Sequence, residues 1–408
     1  MNDWKVARLG SVAHVVHGWA FKGEGFAPDT DASLPIVVSI GNFDYGGGFR
    51  FSDSAVKRYA AQYPQEYELK AGDLLLVMTC QTEGGEILGV PAMVPDDGRT
   101  YLHNQRLGKL VIDRPDLLDH QFMYQLARTP DFNRQLFVTA TGSKILHTSP
   151  NRIEATTFPC PPLGEQQAIA EVLGALDDKI AASTKLTTTT ANLATSHFSH
   201  ANQYADRSFS LSDLVSTQYG ITTSAHDEPG PKFLRVTDIN KKPWIEWDST
   251  PNCTVSDAEL HKYRVSAGDI LVARMADPGK AAFIDVGDPE AVFASYLVRL
   301  KTLDPDQALY LYYFMRSPQY LEYAQGAMSG SVQKNMNAKV IVATSVGLPE
   351  PSRILQFNET VVPLRRLIQS YLDENRRLTS TRDALLPQLM SGKLRIKDAE
   401  RVLEDAGV

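Results

Sequence analysis

A handful of short stretches carry residue types that could do chemistry, and each lacks a necessary part. In "EYELK" (Glu66–Lys70) the Glu68-x-Lys70 pair is what a metal-dependent nuclease uses together with an upstream acid. A related downstream stretch, "LHKYRVSAGD", keeps no acid-x-Lys, so the first reads as a turn flanking the core. "ADPGKAAF" (Ala276–Phe283) has a Gly-Lys but neither the earlier glycine nor the following Ser/Thr of a phosphate-cradling loop. "GEGF" (Gly23–Phe26) and "GGGFRF" (Gly46–Phe51) precede no helix of the length a dinucleotide fingerprint requires. His14 with His17, and His197 with His200, are spaced to share one helical face, without an acid or cysteine to complete a metal set. The three cysteines, Cys80, Cys160 and Cys253, form no CxxC pair and read as free thiols in a reducing compartment. No Asn/Asp-Pro-Pro-aromatic tetrapeptide of the amino-methyltransferase kind occurs. The chain reads as non-catalytic.

Binding chemistry is better represented. The net charge of −7 argues against non-specific coating of nucleic acid. Against that acidic background two windows hold no acid at all. Phe132–Ile153 carries Arg134, Lys144 and Arg152, and Tyr323–Pro349 carries Lys334 and Lys339. Each window falls on one copy of a motif in which a Gly-Ser loop is followed by a proline-marked entry into a long helical pattern.

The elements that would position these loops are also duplicated. "KAGDLLLVMT" (Lys70–Thr79) matches "SAGDILVARM" (Ser266–Met275), a turn followed by a buried strand. "LPIVVSIGNFDYGG" matches "PKFLRVTDINKKPW", read as strand, polar turn and more strand. Each unit opens on a short amphipathic stretch, "WKVARLGSVAHVVHG" or "RSFSLSDLVSTQYG". Leu117–Leu136 and Asp306–Gln325 have helical spacing interrupted near Arg-Thr-Pro and Arg-Ser-Pro, which predicts two short helices in each. The expected fold class is α+β. It comprises two tandem domains of mixed or antiparallel β-sheet with short helices, separated by two long antiparallel coiled-coil helices in a pseudo-two-fold arrangement.

In the second long helix Phe357, Val361, Leu364, Ile368, Tyr371, Asn375, Leu378 and Leu385 follow alternating steps of four and three, broken only at Arg382. In the first, Ile169, Leu173, Leu176 and Ile180 begin the same spacing, which weakens into "STKLTTTTAN". Pro387 and Gly392 are expected to stop the second helix. At about 1.5 Å per residue, helices of roughly 30 residues would hold two domains about 45–50 Å apart. A coiled coil serving only dimerisation is the competing reading of the helices.

"PPLGEQQAIAEVLGALDDKI" (Pro161–Ile180) resembles the central conserved region of specificity subunits of type I restriction–modification systems. "NRRLTSTRDALLPQLMSGKLRI" (Asn375–Ile396) resembles their distal conserved region. The second copy departs from the usual Leu-Pro-x-x-Glu-Gln pattern, with Ser352-Arg353 set against Glu-Gln. The resemblance implies target recognition domains at 1–162 and 204–349, a central conserved helix at 163–203, and a distal helix with tail at 350–408. It implies double-stranded DNA with a bipartite site, two methyltransferase subunits docked on the helices, and restriction motor-nuclease subunits. S-adenosylmethionine, ATP and Mg would belong to those partners, leaving this chain without cofactor or metal. Two readers at fixed separation suit such a site, because major-groove faces recur every 34–36 Å along B-DNA.

Base readout calls for Arg, Lys, Asn and Gln at loop tips. In the first domain the candidates are Lys22, Gln81, Asn104, Gln105, Arg106, Ser143, Lys144 and Arg152. "HNQRLG" (His103–Gly108) resembles a recurring Asn-Gln-Arg element of these domains. In the second they are Arg235, Arg274, Lys280, Ser331, Gln333, Lys334 and Asn335, where "SGSVQKNMNA" resembles the family's Gly-Ser-x-Gln-x-x-Asn loop. Ser143 and Ser331 are expected to hold phosphates, which position without specifying. No window is apolar enough to span a membrane, and the N-terminus has no apolar signal core, so a cytoplasmic protein is expected. The rival readings are a coiled-coil scaffold that binds protein and not DNA, and a nuclease fragment using Glu66 or Glu68.

Overall fold

The computed structural model of the chain describes residues 4–27, 31–51, 56–328 and 335–407. The chain divides into two compact units: Met1–Ala182 with Glu374–Val408, and Ser183–Asp373. The same succession of elements builds both.

Each unit is organised around one buried strand. In unit 1 the run Leu74–Val77 has all four residues buried, as does Ile270–Ala273 in unit 2. Such continuous burial suits Leu, Ile and Val covered on both faces. The strand lies third in a four-stranded antiparallel sheet, in the order Ala13–His17, Leu107–Ile112, Leu74–Val77, Pro91–Met93. Unit 2 repeats it as Val215–Tyr219, Leu297–Thr302, Ile270–Ala273, Ala281–Phe283. The turn feeding the central strand is the same twice. Asp73 Oδ2 accepts from the Lys70 amide and Asp269 Oδ2 from the Ser266 amide, both at 2.9 Å. Gly72 and Gly268 sit at φ +84° and +91°, which an L side chain adopts only under strain.

A second sheet in each unit joins very short strands and contains one parallel pairing, 36–37 with 101–102 in unit 1 and 232–234 with 291–293 in unit 2. The polar turn that was read as leading into more strand instead forms a helical turn, Ile40–Asn42 and Val236–Ile239. Asn42 and Asp238 accept from the backbone amide three residues before them, which closes these turns. The paired short helices appear as expected: His120–Ala127 and Pro130–Thr139, then Ala308–Met315 and Pro318–Met328. Thr129 caps the second helix by accepting from the Phe132 amide, and Pro130 occupies a first-turn position where its missing N–H costs nothing.

An edge pairing then hands the chain to a long helix. Lys5–Arg8 pairs with Thr157–Cys160 in unit 1, and Arg207–Ser210 with Ser345–Leu348 in unit 2. The helices that follow, Leu163–Asn202 and Pro351–Met390, are both 40 residues long. Because Cys160 and Leu348 close equivalent strands, Glu165-Gln166 corresponds to Arg353-Ile354, one residue on from the pairing with Ser352-Arg353 that sequence comparison suggests. Gln166 is fully buried, donating to the carbonyls of Leu117 (2.8 Å) and Pro161 (2.9 Å) and accepting from the Asp119 amide (2.9 Å). Ile354 fills the matching buried position without polar groups.

The two helices pair in antiparallel fashion inside each unit. In unit 1 Asp177 meets Arg382 at 3.2 Å and Lys179 meets Glu374 at 3.4 Å, while Ile169, Leu173 and Leu176 share a core with Leu378, Leu385 and Leu389. In unit 2 Phe198 lies 6.4 Å from Phe357 between ring centroids, and Ser183 Oγ donates to the Tyr371 carbonyl. The seam of the first helix does not weaken into its threonine run. It continues through buried Ser183, Thr187, Thr190, Ala194 and Phe198. Thr187 donates to the carbonyl four residues back, which satisfies its hydroxyl inside the seam. The break at Arg382 is an ion pair at a seam position. Asp177 takes Arg382 on one carboxylate oxygen, and Arg128 (2.6 Å) and Gln125 (3.0 Å) on the other.

Pro387 does not stop the second helix, which continues to Met390. In the last turn a proline forfeits a single hydrogen bond. Gly392, at φ +68°, lies in the turn beyond. A final helix, Ile396–Ala406, buries Ala399 and Leu403 in the core of unit 1.

Candidate nucleic-acid interface

In unit 1 the central strand ends at Met78, whose backbone ties three loops together. Its amide donates to the Arg106 carbonyl and its carbonyl accepts from the Thr148 amide, both at 2.9 Å. The chain after Met78, the 103–107 turn and the 141–148 loop therefore meet at one point. Thr79–Cys80 extends the junction by pairing with Leu146–His147, and Thr79 Oγ1 lies 3.1 Å from His147 Nδ1.

The Gly-Ser loop is a closed hairpin, since Thr141 and His147 exchange both backbone hydrogen bonds, at 2.9 and 2.8 Å. Gly142 has φ +112°, and a Cβ there would fall 1.9 Å from the Ile145 carbonyl oxygen, so only glycine closes the turn. Ser143 and Lys144 stand exposed at its tip. Arg152 donates to Thr141 Oγ1 at 3.1 Å and braces the hairpin from below.

The 103–107 turn is shaped by Asn104, whose Oδ1 accepts from the Arg106 amide at 3.0 Å and leaves the Arg106 side chain exposed. Gln105 Oε1 is buried with no hydrogen-bond partner among the described residues. His103 anchors the turn by donating from Nε2 to the Leu107 carbonyl at 2.9 Å. Burial holds its pKa down at about 4, so the imidazole is neutral. Trp19 is bonded to both His103 and Gln105 through the backbone, and Gly18 passes so close that a Cβ would lie 2.2 Å from the Asn104 carbonyl oxygen.

Unit 2 builds the same junction from different side chains. Arg274 takes the place of Met78: its amide donates to the Tyr296 carbonyl (2.9 Å) and its carbonyl accepts from the Met336 amide (2.8 Å). The Arg274 guanidinium lies 5.0 Å from the centre of the Tyr219 ring, with Nη2 3.3 Å from Asn335 Oδ1 and Nη1 3.5 Å from the Ser295 carbonyl oxygen. Gly220 repeats Gly18, its Cβ position lying 2.3 Å from the Ala294 carbonyl oxygen. The loop after Arg274 contains Ala276 at φ +62°, the only positive φ outside glycine among the described residues. Strain of this kind persists where the surroundings over-determine a backbone conformation.

The structure thus gathers Gln81, Asn104, Gln105, Arg106, Ser143, Lys144 and Arg152 around Met78, and Arg274, Lys280 and Asn335 around the second junction. Lys22 is exposed on a separate turn, Gly23–Gly25. Arg235 is held by Asp238, at 3.0 Å from Nη2 to Oδ1. Ser331, Gln333 and Lys334 lie outside the described residues. Tyr219 and Tyr296 escaped sequence reasoning, although aligning Asn104-Gln105-Arg106 with Ala294-Ser295-Tyr296 would have found the second.

The other chemistry-bearing stretches resolve differently. His14 and His17 lie on a strand, not a helical face, and His14 does have an acid beside it, Asp113 at 2.8 Å across the sheet. Glu66 and Glu68 are exposed, and Glu68 accepts from the Tyr63 hydroxyl, which pushes the tyrosine up to about 12. Among the described residues no group of three or more His, Cys, Asp or Glu could hold a metal ion, and no helix is long and apolar enough to cross a membrane. The three cysteines are free thiols.

The same mixed-sheet domain occurs twice in the chain, each copy handing over to a long helix. Residues 1–189 match the family model described as the type I restriction modification DNA specificity domain. The chain is 28% identical over 181 residues to the type I restriction enzyme MjaVIII specificity subunit of Methanocaldococcus jannaschii, covering 44% of this chain and 40% of that protein. It is 23% identical to the EcoBI specificity subunit of Escherichia coli, covering 96% of this chain and 90% of that one. The S subunit of a type I restriction-modification system from M. genitalium has a similar fold, with a TM-score of 0.59 over 96% of this chain and 97% of that one at 12% identity. The chain is thus similar to specificity subunits of type I restriction–modification systems, and its first 189 residues match their DNA specificity domain.

Proposed function

We propose that this chain is the non-catalytic DNA-reading subunit of a type I restriction–modification complex. Each unit reads one half of a bipartite duplex site. The observation that carries this is the junction built twice, around Met78 and Arg274, where three loops bearing polar and cationic side chains are locked to the end of a rigid buried strand. Rigid support of this sort suits base-edge recognition, which needs donors and acceptors in fixed orientation.

Lys144, Ser143 and Arg106 stand exposed as phosphate or base contacts of unit 1. The guanidinium of Arg274 suits base edges. The long helices provide the docking surface for two methyltransferase subunits, with motor-nuclease subunits joining them in the cytoplasm. S-adenosylmethionine, ATP and Mg belong to those partners. A coiled-coil scaffold without DNA binding is not favoured, because helices used only as a scaffold would need neither junction.

The test is adenine-methylation mapping in a host that expresses this chain with its methyltransferase subunits. A two-part motif with a fixed gap is expected. Methylation without a two-part motif, or none beyond that of the partners alone, would overturn the reading.

A further inference from the structure

We propose that Arg274 is a specificity-determining residue that reads a guanine in the half-site of unit 2, an inference that rests on the DNA-reading function above. The two junctions share their backbone bonding but differ in where the cation sits. In unit 1 the first loop begins with Met78, 2% exposed, and the arginine is Arg106 on the second loop. In unit 2 the second loop carries Tyr296, 54% exposed, and the arginine has moved to the root of the first.

At that root Arg274 is half-buried and its plane is set by Tyr219 and Asn335. Its buried Nε has no acceptor among the described residues, and its two side-chain hydrogen bonds, at 3.3 and 3.5 Å, are longer than the usual range for N–H···O. Arg128, Arg235, Arg299, Arg365 and Arg382 each hold a carboxylate, whereas no carboxylate lies within ion-pair distance of Arg274 among the described residues. An oriented, weakly engaged fork of donors has one ideal partner on duplex DNA, the O6 and N7 acceptors of guanine in the major groove. A phosphate contact asks only for charge, which an exposed lysine such as Lys144 supplies. Tyr219 and Tyr296 are both exposed at this junction, whereas the corresponding positions of unit 1 hold His17 and Arg106.

The experiment uses the chain assembled with its methyltransferase subunits. Binding is measured to duplexes in which each base pair of the mapped motif is changed singly. Arg274→Met installs the residue that unit 1 has at this place, and the backbone bonds to Tyr296 and Met336 need no arginine side chain. Arg274→Lys keeps the charge without the fork.

For the wild type, replacing one G·C pair in one half-site costs about tenfold or more in affinity. For Arg274→Met, that replacement costs nothing further and every other replacement costs what it did before; Arg274→Lys lies between. The proposal is overturned if every G·C replacement weakens Arg274→Met as much as the wild type, which would leave the two-part motif and the proposed function standing. A uniform fall in affinity at all positions also overturns it, since that marks a phosphate contact. A wild-type complex with no two-part motif overturns the function and this inference together.

Discussion

Arg365 closes on Asp285 with two hydrogen bonds, Nε to Oδ1 at 2.8 Å and Nη2 to Oδ2 at 2.5 Å, and fastens the second long helix to the sheet-edge loop of unit 2. Both side chains are largely buried, and the guanidinium also lies over the rings of Phe283 and Tyr312, at 4.9 and 5.0 Å. Removing one partner leaves an uncompensated charge in a poorly hydrated place. Arg365→Met alone or Asp285→Leu alone should therefore destabilise unit 2 by about 3–5 kcal/mol, while the double replacement costs clearly less than the two singles together. Urea unfolding of the four proteins of this cycle, followed by hydrogen exchange in unit 2, gives the answer; additive losses would show that the pair is not coupled.

His103 makes the stability of unit 1 depend on pH. Its folded pKa of about 4 lies below the ordinary value of 6.5, so between those limits the unfolded chain binds more protons. The contribution is fully present above pH 6.5 and is lost as pH falls toward 4, about 3 kcal/mol in all. The residue at the matching place in unit 2 is Phe293, fully buried. His103→Phe should flatten the dependence of melting temperature on pH across that window, and an unchanged slope would assign the pH response elsewhere.

Lys144 tests the charge at the hairpin tip. If it contacts a phosphate, Lys144→Ala weakens binding to all duplexes alike and lowers the slope of log affinity against log salt by about 1. Titrations from low to high salt read this directly. A change confined to one base pair would reassign Lys144 to base readout.

Gly18 and Gly220 test the equivalence of the two junctions. A methyl group at either would drive into a carbonyl oxygen, of Asn104 or Ala294, at 2.2 or 2.3 Å. Gly18→Ala should impair recognition of one half-site and Gly220→Ala the other, each leaving the partner half intact. Loss of the same half-site in both variants would contradict the assignment of one reader to each unit.

What the sequence displays plainly is what local physics controls. The Ala-Gly-Asp turns, the apolar strands after them and the proline-split helices follow from spacing within about ten residues. The short strands of the second sheets escape, because Ile36–Val37 and Tyr101–Leu102 are too brief to show a period. The heptad seam of the first helix was misread for a different reason: its buried positions are Ser183, Thr187 and Thr190, polar by composition and interior by contact. Met78 could not be picked out as a keystone, since its role comes from backbone bonds to residues 28 and 70 positions away. The candidate loops around it were visible by residue type, and their convergence was not.

The make-up of unit 1 has a consequence for biosynthesis. Its core draws Leu378, Leu385, Leu389, Ala399 and Leu403 from the far end of the chain, whereas unit 2 is a single uninterrupted segment. On the ribosome the first 182 residues therefore emerge early yet stay unfinished until residues 378–403 have been made, while the segment between can mature ahead of them. A nascent chain stalled before residue 374 would display the sticky underside of unit 1, an obvious station for a chaperone.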